Sequence, residues 1–477
     1  SIYGEPDRSP FALFHQFRHF GYSFEYIGNQ ARKSGAFLVG IASLFTPYHK
    51  EALDTAETIK AALPDCKIVV GGHHATALPE DVITSIAVDF VIRGEGEASM
   101  PLLAKALRDR TPLEKIPGLA RRAPSGEILI SKPARMDNPD KFPLPAVQLI
   151  NQRYYRRRKK GSAVVVTSRG CPMRCSYCAM RRSEDLPYRR RGVDTVMAEI
   201  EQAVNRYDAG FIDFEDENLS LDRQWFLQLL NEIHGRCGGV DLELRAMNGL
   251  FPPTLDDEVV QAMARAGFKT LNLSLGSTSI KQLNRFRRPD VRRAFDSALE
   301  LARKYGLQAV GYVIAGGPDQ NAVDSVNDLL YLAGKHVLAG VSIFYPSPGS
   351  PDYERCRQLG ILPDSYALMR SSALSIVHTT TREESVTLLR LGRILNFIKS
   401  MLDQGLSIPD ARPYAEEKHI DIDDRLAAGR QLLKWYLHDG KIRGAGPDGK
   451  VFFHNTSDRV SHSFLRGLKR SQVKGCR

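Results

Sequence analysis

The sequence lacks any apolar stretch long enough to cross a membrane. Its longest apolar runs, such as Phe37 to Ala42 and Ala163 to Val166, fall far short of the roughly 20 residues that a spanning helix needs. The start of the chain, Ser1 to Arg8, also lacks the basic start, apolar middle and small-residue cleavage site of a secretion signal. We therefore expect a cytoplasmic protein without a transmembrane span.

Cysteine is scarce, and its distribution does not suit a disulfide framework. The chain of 477 residues has 7 cysteines, and three of them fall within eight residues. Disulfide-rich domains are short and carry even numbers of cysteines, whereas clustered cysteines in a reducing compartment are typical of metal sites. The length of the chain predicts two or three domains, each large enough to bury its own core.

Basic residues exceed acidic ones, which gives a formal net charge of +11. Such a charge attracts nucleic acid, anionic lipid or an acidic substrate. Basic runs at 153–160 and 189–191 flank the clustered cysteines in the sequence. A solvated basic face together with a positive collar around an anionic cofactor is favoured over specific RNA binding, which stays as an alternative. Peripheral contact with a membrane is compatible with the same charge.

Short apolar strands alternate with helix-length segments between Ala36 and Leu107. This alternation predicts an open, doubly wound parallel sheet, in which ligands bind beyond the carboxyl ends of the strands. Glycines at those ends let the backbone approach a cofactor closely, and they are Gly71, Gly72, Gly94 and Gly96. Seven prolines between Pro112 and Pro145 then indicate a long irregular linker.

A second alternating series starts at Ser162 and contains six strand-and-helix units. Consecutive parallel units of this kind predict a partial barrel with its chemistry at the carboxyl ends of the strands. Beyond Gly360 the strand signal fades, and 382–402 has the periodicity of an amphipathic helix. The predicted domains are an α/β domain with its linker at 1–145, a partial barrel at 146–365 and a mainly helical region at 366–477.

The strongest motif is the run SRGCPMRCSYCAM at 168–180, which directly follows an apolar strand. Its thiols, Cys171, Cys175 and Cys178, have the spacing C-x3-C-x2-C. Three thiolates on one loop can bind three irons of a single [4Fe-4S] cluster and leave the fourth iron without a protein ligand. A structural zinc site would normally add a fourth cysteine or histidine close by, so the iron–sulfur cluster is favoured over zinc.

This motif, its place after the first barrel strand and the aromatic Tyr177 before the third cysteine resemble the radical S-adenosylmethionine (SAM) enzymes. The resemblance implies that the open iron binds SAM. It also implies that one electron, from a donor such as flavodoxin or ferredoxin, splits SAM and gives a 5'-deoxyadenosyl radical. That radical abstracts hydrogen from unactivated carbon, and a barrel would enclose it away from solvent.

Further resemblances predict which residues at the other strand ends contact SAM. The segment FEDENLS at 214–220 resembles the acidic motif that holds the SAM amino group, with a helix cap as the alternative for its carboxylates. At the fourth strand Gly276 stands where many relatives carry glutamate, and two nearby serines are the predicted substitutes. For Arg245 a structural ion pair is an equal alternative. The predicted SAM contacts are Tyr177, Asp216, Glu217, Arg245, Asn248, Ser274, Ser277, Gly316 and Tyr345.

The segments VVGGHHATALPEDV and DFVIRGEGEASMP resemble the amino-terminal cobalamin-binding domain of one large branch of these enzymes. The resemblance implies a cobalamin between the domains, with its nucleotide tail against the strand ends. Two features depart from the family: the motif D-x-H-x-x-G is absent, and the usual opening strand is missing before Gly21. The alternative is a vestigial sheet that only packs on the barrel. The predicted tail-binding residues are Gly71, Gly72, His73, Gly94 and Gly96.

We expect a radical SAM enzyme that acts on an unactivated carbon of a small molecule or lipid, by methyl transfer through cobalamin or by rearrangement or cyclisation. The main alternative is an RNA-modifying enzyme, because tRNA methylthiotransferases share the cysteine loop. Those enzymes contribute three further cysteines from the first domain, where this chain has only Cys66. The non-enzymatic alternative is a basic nucleic-acid-binding module with a structural metal.

Overall fold

The computed structural model describes residues 6–13, 20–182, 187–415 and 419–477, with the backbone alone at 181–182. Ser1, where the first predicted domain begins, therefore lies outside the described residues. Within the described ranges no helix is long and apolar enough to cross a membrane.

The first third of the chain forms a sheet with helices on both faces. Three parallel strands, in the order β1-β2-β3, continue into an antiparallel hairpin, β4-β5. Buried aliphatic side chains line each face of the sheet, so it has two small cores of its own. The elements are α1 (Phe24–Ser34), β1 (Leu38–Ala42), α2 (His49–Ala62), β2 (Lys67–Gly71), α3 (His73–Ala77), α4 (Pro79–Ile83), β3 (Phe90–Ile92), α5 (Gly96–Asp109), β4 (Leu119–Arg122) and β5 (Ile128–Ile130).

The second unit is a curved array of six parallel strands, as predicted. One sheet has the order β11-β10-β7-β6, the next has the order β12-β13-β14, and parallel bridges from Leu244 to Phe268 and from Leu250 to Leu273 connect them. The strands are β6 (Arg156–Arg157), β7 (Lys160–Val165), β8 (Ser168–Arg169), β9 (Arg189–Arg190), β10 (Ala209–Phe214), β11 (Glu243–Arg245), β12 (Thr270–Gly276), β13 (Gln308–Ala315) and β14 (Leu338–Ile343). The helices are α6 (Val193–Tyr207), α7 (Arg223–Cys237), α8 (Asp257–Ala266), α9 (Ile280–Arg285), α10 (Arg292–Lys304), α11 (Ala322–Ala333) and α12 (Pro351–Gln358).

The C-terminal region is mainly helical and packs against the barrel. The predicted amphipathic helix is α13 (Arg382–Asp403), which starts with a capping box between Thr381 and Glu384 and buries one side against β14 and α11. It is followed by α14 (Arg425–Asp439), a hairpin of β15 (Arg443–Ala445) and β16 (Val451–Phe453), and α15 (Asp458–Arg470). The predicted order of an α/β sheet, a partial barrel and a helical region is thus confirmed.

Residues 6–13 precede the first sheet in the sequence but pack on the C-terminal region. The buried ring of Phe11 meets Phe397 edge to face at 5.6 Å. The carboxylate of Asp7 lies 2.9 Å from Nε2 of His454 and 3.4 Å from Nη1 of Arg390, and all three side chains are almost completely buried. The sheet is therefore inserted between two segments of one continuous core.

Replacing Asp7 by alanine should lower the free energy of unfolding by about 3 kcal/mol, because the change removes the counter-ion of a buried guanidinium. It also removes an acceptor from the backbone N–H groups of Ser9 and Ala445. Chemical denaturation followed by circular dichroism measures the effect. The matched control is Asp65→Ala, at an exposed turn, for which we expect a change below about 0.5 kcal/mol. Equal losses in the two variants would contradict the buried ion pair.

Candidate active site

The cysteine loop leaves the carboxyl end of β7, where β10 also ends. These strands are parallel neighbours with Val165 opposite Phe214, so the residues that follow them meet at one edge of the barrel. There the carboxylate of Asp216 accepts hydrogen bonds from the backbone N–H and hydroxyl of Thr167, at 3.1 and 2.7 Å, and from the hydroxyl of Ser168 at 2.5 Å. Asp216 therefore holds the start of the cysteine loop against β10.

The three thiols lie close together beneath this edge. Burial is the main cause that raises the pKa of Cys178, to about 11, and the charges of the other two thiolates raise it further. Within the described ranges no three or more Cys, His, Asp or Glu side chains converge as they would around a single metal ion. The thiolates of a cubane bind three different irons, so they do not need to converge on one point. This donor set fits a [4Fe-4S] cluster.

Two polar side chains beside the thiols have unused hydrogen-bonding capacity. Oε2 of Glu217 and Oδ1 of Asn218 are buried and have no hydrogen-bond partner among the described residues. Burial, and then the neighbouring charge of Asp216, raise the pKa of Glu217. A cationic amino group placed here would satisfy these oxygens and bring the pKa of Glu217 down again. The position next to Cys171 therefore fits the amino group of SAM.

Asp216 and Glu217 were predicted to share one role, but their carboxylates have different surroundings in the structure. The carboxylate of Asp216 is occupied by the strand end, and its pKa is raised by burial in spite of those hydrogen bonds. Of these two carboxylates, it is Glu217 that has an unpartnered oxygen near the thiols. The helix-cap alternative does not describe either residue, because the cap of α7 is Asp222.

Tyr177 of the cysteine loop is fixed by a residue that the sequence analysis did not identify. The hydroxyl of Tyr177 accepts a hydrogen bond from Nη1 of Arg288 at 2.7 Å, while Nη2 of the same guanidinium donates to the carbonyl of Ser274 at 2.7 Å. The ring of Tyr177 meets Phe286 edge to face. Arg288 thus joins the cysteine loop to the end of β12. No local motif marks this arginine, because the contact spans 111 residues.

The remaining predicted contacts fall into two groups. Tyr345 follows β14 and lies near enough to Cys178 for the thiolate charge to raise the pKa of Tyr345, after the larger effect of burial. Nδ2 of Asn248 is 3.5 Å from the carbonyl of Asp216. Gly316, at the end of β13, has a φ of 73° in the predicted turn.

Ser277 and Arg245 are used differently from the SAM contacts that the resemblance predicts. The buried hydroxyl of Ser277 donates to the carboxylate of Asp328 on α11, at 3.0 and 3.1 Å, so it fastens a helix rather than facing the thiols. Nε of Arg245 pairs with Glu243 at 3.5 Å and with Asp213 at 3.8 Å, which is the structural alternative for this arginine. Ser274 contributes its backbone carbonyl to Arg288.

The strand ends of the first sheet face the cysteine loop. Glu95 receives both Nη atoms of Arg189, at 2.8 and 2.9 Å, and Glu97 pairs with both Nη atoms of Arg169, two residues before Cys171. Partial burial, and then the charge of Arg169, lower the pKa of His73 at the end of β2. The two units are thus joined by ion pairs directly beside the thiols.

The glycines at these ends are required by close chain crossings. Gly72 has a φ of 109°, and a Cβ on it would lie 2.6 Å from the carbonyl oxygen of Ser43. Gly94 has a φ of 80°, and a Cβ there would lie 2.2 Å from the carbonyl oxygen of Ala134. Gly71 ends β2 and Gly96 begins α5, at the same edge. Packing alone therefore explains the glycines at positions 72 and 94.

The basic run at 153–160 belongs to the predicted solvated face rather than to a collar around the cysteine loop. This run lies before and at the amino end of β7, whereas the cysteine loop follows the carboxyl end, about 20 Å along a strand of six residues. Of the second run, Arg189 reaches the site, where its charge is balanced by Glu95. The basic run and the cysteines are close in sequence but far apart in space, because the run precedes one end of β7 and the cysteines follow the other.

Comparison with known proteins agrees with this arrangement. Residues 165–330 match the Radical SAM superfamily, and residues 13–104 match the B12 binding domain. An uncharacterised methyltransferase of Pyrococcus horikoshii is 27% identical over 336 residues, 70% of this chain and 72% of that protein. The hopanoid C-3 methylase of Methylococcus capsulatus is 29% identical over 272 residues, 56% of this chain and 50% of that protein. The anaerobic magnesium-protoporphyrin IX monomethyl ester cyclase of Rubrivivax gelatinosus is 30% identical over 254 residues, 52% of this chain and 44% of that protein.

Two solved structures share the fold. The radical SAM methyltransferase TsrM from Kitasatospora setae, with cobalamin and a [4Fe-4S] cluster bound, has a TM-score of 0.60 at 19% identity and covers 72% of this chain and 71% of its own. The cobalamin-dependent SAM radical enzyme OxsB, with aqua-cobalamin and SAM bound, has a TM-score of 0.64 at 16% identity and covers 87% of this chain and 66% of its own. At these identities the likeness concerns the fold.

Replacing Asp216 by alanine should reduce iron uptake at the cysteine loop, because the strand end before Cys171 loses its acceptor. The stability should fall by about 2 kcal/mol, since buried donors stay unsatisfied. Asp216→Asn keeps one acceptor oxygen and should retain most of the iron. Iron and sulfide per chain after anaerobic reconstitution measure the effect, with the exposed neighbour variant Glu215→Ala as the control. Full iron content in Asp216→Ala would show that the carboxylate does not position the loop.

Proposed function

Because the chain is a radical SAM enzyme with an amino-terminal B12-binding domain, we propose that it transfers a methyl group to a carbon atom of a small molecule or lipid. The observation that carries this proposal is the direct contact between the two cofactor edges. Arg169 and Arg189, on either side of the cysteine loop, are bound by Glu97 and Glu95 from the first sheet. This contact would bring the two cofactors side by side, as a methyl transfer between them requires.

Different residues would hold the different cofactors. Cys171, Cys175 and Cys178 would hold the cluster, and Glu217 with Asn218 would hold the amino group of SAM. Gly71, His73 and Gly96 would border the cobalamin tail. When bound, the cluster supplies the electron that splits SAM, and cobalamin supplies a carrier for the methyl group. A small donor protein such as flavodoxin or ferredoxin would deliver that electron.

Exposed apolar side chains after the strand ends support a substrate with a large apolar part. Exposed aromatic and aliphatic side chains follow the carboxyl ends of β1, β11 and β14, namely Leu44, Phe45, Met247 and Tyr345. Scattered apolar residues are ordinary on a surface, but exposed apolar residues that follow the carboxyl ends of strands lie where these folds bind ligands, and they favour an apolar ligand. The names of the relatives, a hopanoid methylase and a protoporphyrin ester cyclase, agree with this class.

Ring closure is the second candidate, and the 30% identity to the cyclase favours it specifically. The two reactions differ in the fate of the SAM methyl group, which is incorporated only in methyl transfer.

A non-enzymatic nucleic-acid-binding module is excluded as the main role, since the chain carries the radical SAM domain. We keep 1–145, 146–365 and 366–477 as the working division, with residues 6–13 as an arm of the last unit.

The triple variant of Cys171, Cys175 and Cys178 to alanine should lose the iron–sulfur absorption and the release of 5'-deoxyadenosine, while it keeps cobalamin. The matched control replaces the three isolated thiols Cys66, Cys237 and Cys356 by serine or alanine and should keep the cluster. Absorption spectra after anaerobic reconstitution with iron, sulfide and hydroxocobalamin separate the cofactors. Zinc without iron in the wild-type protein would contradict the proposal.

Substrate candidates are then tested with SAM carrying a deuterated methyl group. Methyl transfer predicts a product heavier by the labelled methyl group, and ring closure predicts a product without the label. Mass spectrometry of extracts incubated with the reduced enzyme distinguishes the two outcomes.

A further inference from the structure

An exposed surface at the far end of β7 combines basic and apolar side chains. Leu149 and Ile150 are 81% and 47% exposed, and Tyr154 and Tyr155 are 67% and 50% exposed. The backbone N–H of Ser162 donates to the carbonyl of Tyr155 at 2.8 Å, which holds Tyr155 beside β7, and Leu149 and Ile150 come shortly before it in the chain. We call the set 149–160 the basic–apolar surface.

The hairpin adds a dense positive charge to this surface. Six of the residues from Arg153 to Lys160 are basic. Two carboxylates lie among them, with Asp208 2.6 Å from Lys160 and Glu243 3.9 Å from Arg158. Among the described residues, Arg153 and Lys159 form no ion pair. The surface therefore keeps a clear excess of positive charge, which the site at the other end of β7 does not use.

The turn of the β6–β7 hairpin contains two basic residues in a backbone conformation that such residues rarely adopt. Arg157 pairs with Lys160, so Arg158 and Lys159 are the two residues of the turn, with φ values of 46° and 69°. Such turns strongly prefer Asn-Gly, because both positions need the left-handed conformation. Strained residues that persist in a fold are often retained for function, and the property these two share is charge.

We propose that the basic–apolar surface docks this protein on an anionic membrane surface. Lysine and arginine attract acidic headgroups, while exposed tyrosines and aliphatic side chains enter the boundary between headgroups and acyl chains. The aliphatic pair Leu149 and Ile150 favours lipid over RNA, since bases stack on aromatic rings and gain little from aliphatic ones. Tyr154 is also engaged, because its hydroxyl accepts from Tyr22 at 3.0 Å.

The position of the surface fits this role. Lys160 begins β7, and the cysteine loop follows the opposite end of the same strand. Docking through the hairpin therefore leaves the cavity free. A protein held at a lipid surface would meet apolar substrates where they concentrate.

The test is flotation of the full chain with vesicles of phosphatidylcholine alone or with one third phosphatidylglycerol. We expect binding only to the anionic vesicles, with a steep loss between 50 and 300 mM salt, since exposed charges are screened over about 10 Å at 0.1 M salt. The variant Arg158→Asn/Lys159→Gly should reduce the partition coefficient about 30-fold. Leu149→Ser/Ile150→Ser should reduce it about 10-fold without any change of charge.

The first variant carries its own folding control. Asn-Gly suits the turn, so the variant should unfold at the same or a higher temperature than the wild type. The charge-matched control Arg466→Gln/Lys469→Gln, at exposed positions of α15, should bind as the wild type does. Equal binding to neutral and anionic vesicles would overturn the proposal, and so would full binding by the turn variant. Binding of fluorescent RNA that the turn variant loses, without vesicle binding by the wild type, would assign the surface to RNA instead. The assay needs neither cluster nor cobalamin, so its outcome is independent of the proposed methyl transfer.

Discussion

A buried carboxylate between two parallel strands supports the cysteine loop. Asp216 follows β10 and accepts three donors from Thr167 and Ser168, which follow β7. Without that contact, the buried donors of Thr167 and Ser168, just before Cys171, would have no acceptor. Burying the carboxylate of Asp216 costs desolvation free energy, which raises its pKa. The hydrogen bonds from Thr167 and Ser168 offset this cost. The thiols, Glu217 and the hold of Arg288 on Tyr177 all depend on this starting point.

The contact between the two units is equally specific. Glu95 and Glu97 lie on either side of Gly96, where α5 begins. Glu97 pairs with Arg169, while Glu95 pairs with Arg189 and, at 3.7 Å, with Arg169 as well. The pairing between Glu95 and Arg189 is almost completely buried, so water screens it little. A rearrangement of the first sheet would therefore move the residues next to Cys171. The strand ends of the first sheet and the cysteine loop are thus held together by ion pairs.

The sequence predicted the architecture better than the side-chain roles. The six barrel strands, the amphipathic helix α13 and the position of the cysteine loop could be predicted from the sequence, because each depends on the local spacing of residue types. Arg288, Arg169 and Glu97 were not identified, because their partners lie more than 70 residues away. Ser277 was assigned to SAM by analogy, but burial turned its hydroxyl towards Asp328. The basic run at 153–160 was placed near the cysteines by sequence distance, which an extended strand makes misleading.

The packing of residues 6–13 on the last helices has a consequence for biosynthesis. Asp7 and His454 are 447 residues apart, so their contact cannot form until His454 has left the ribosome. The first sheet has its own cores and can fold while translation continues, as domains generally do. The segment ahead of it must wait, with the apolar ring of Phe11 exposed, until α13 and His454 have been synthesised. The packing of residues 6–13 therefore follows the synthesis of the C-terminal region against which they lie.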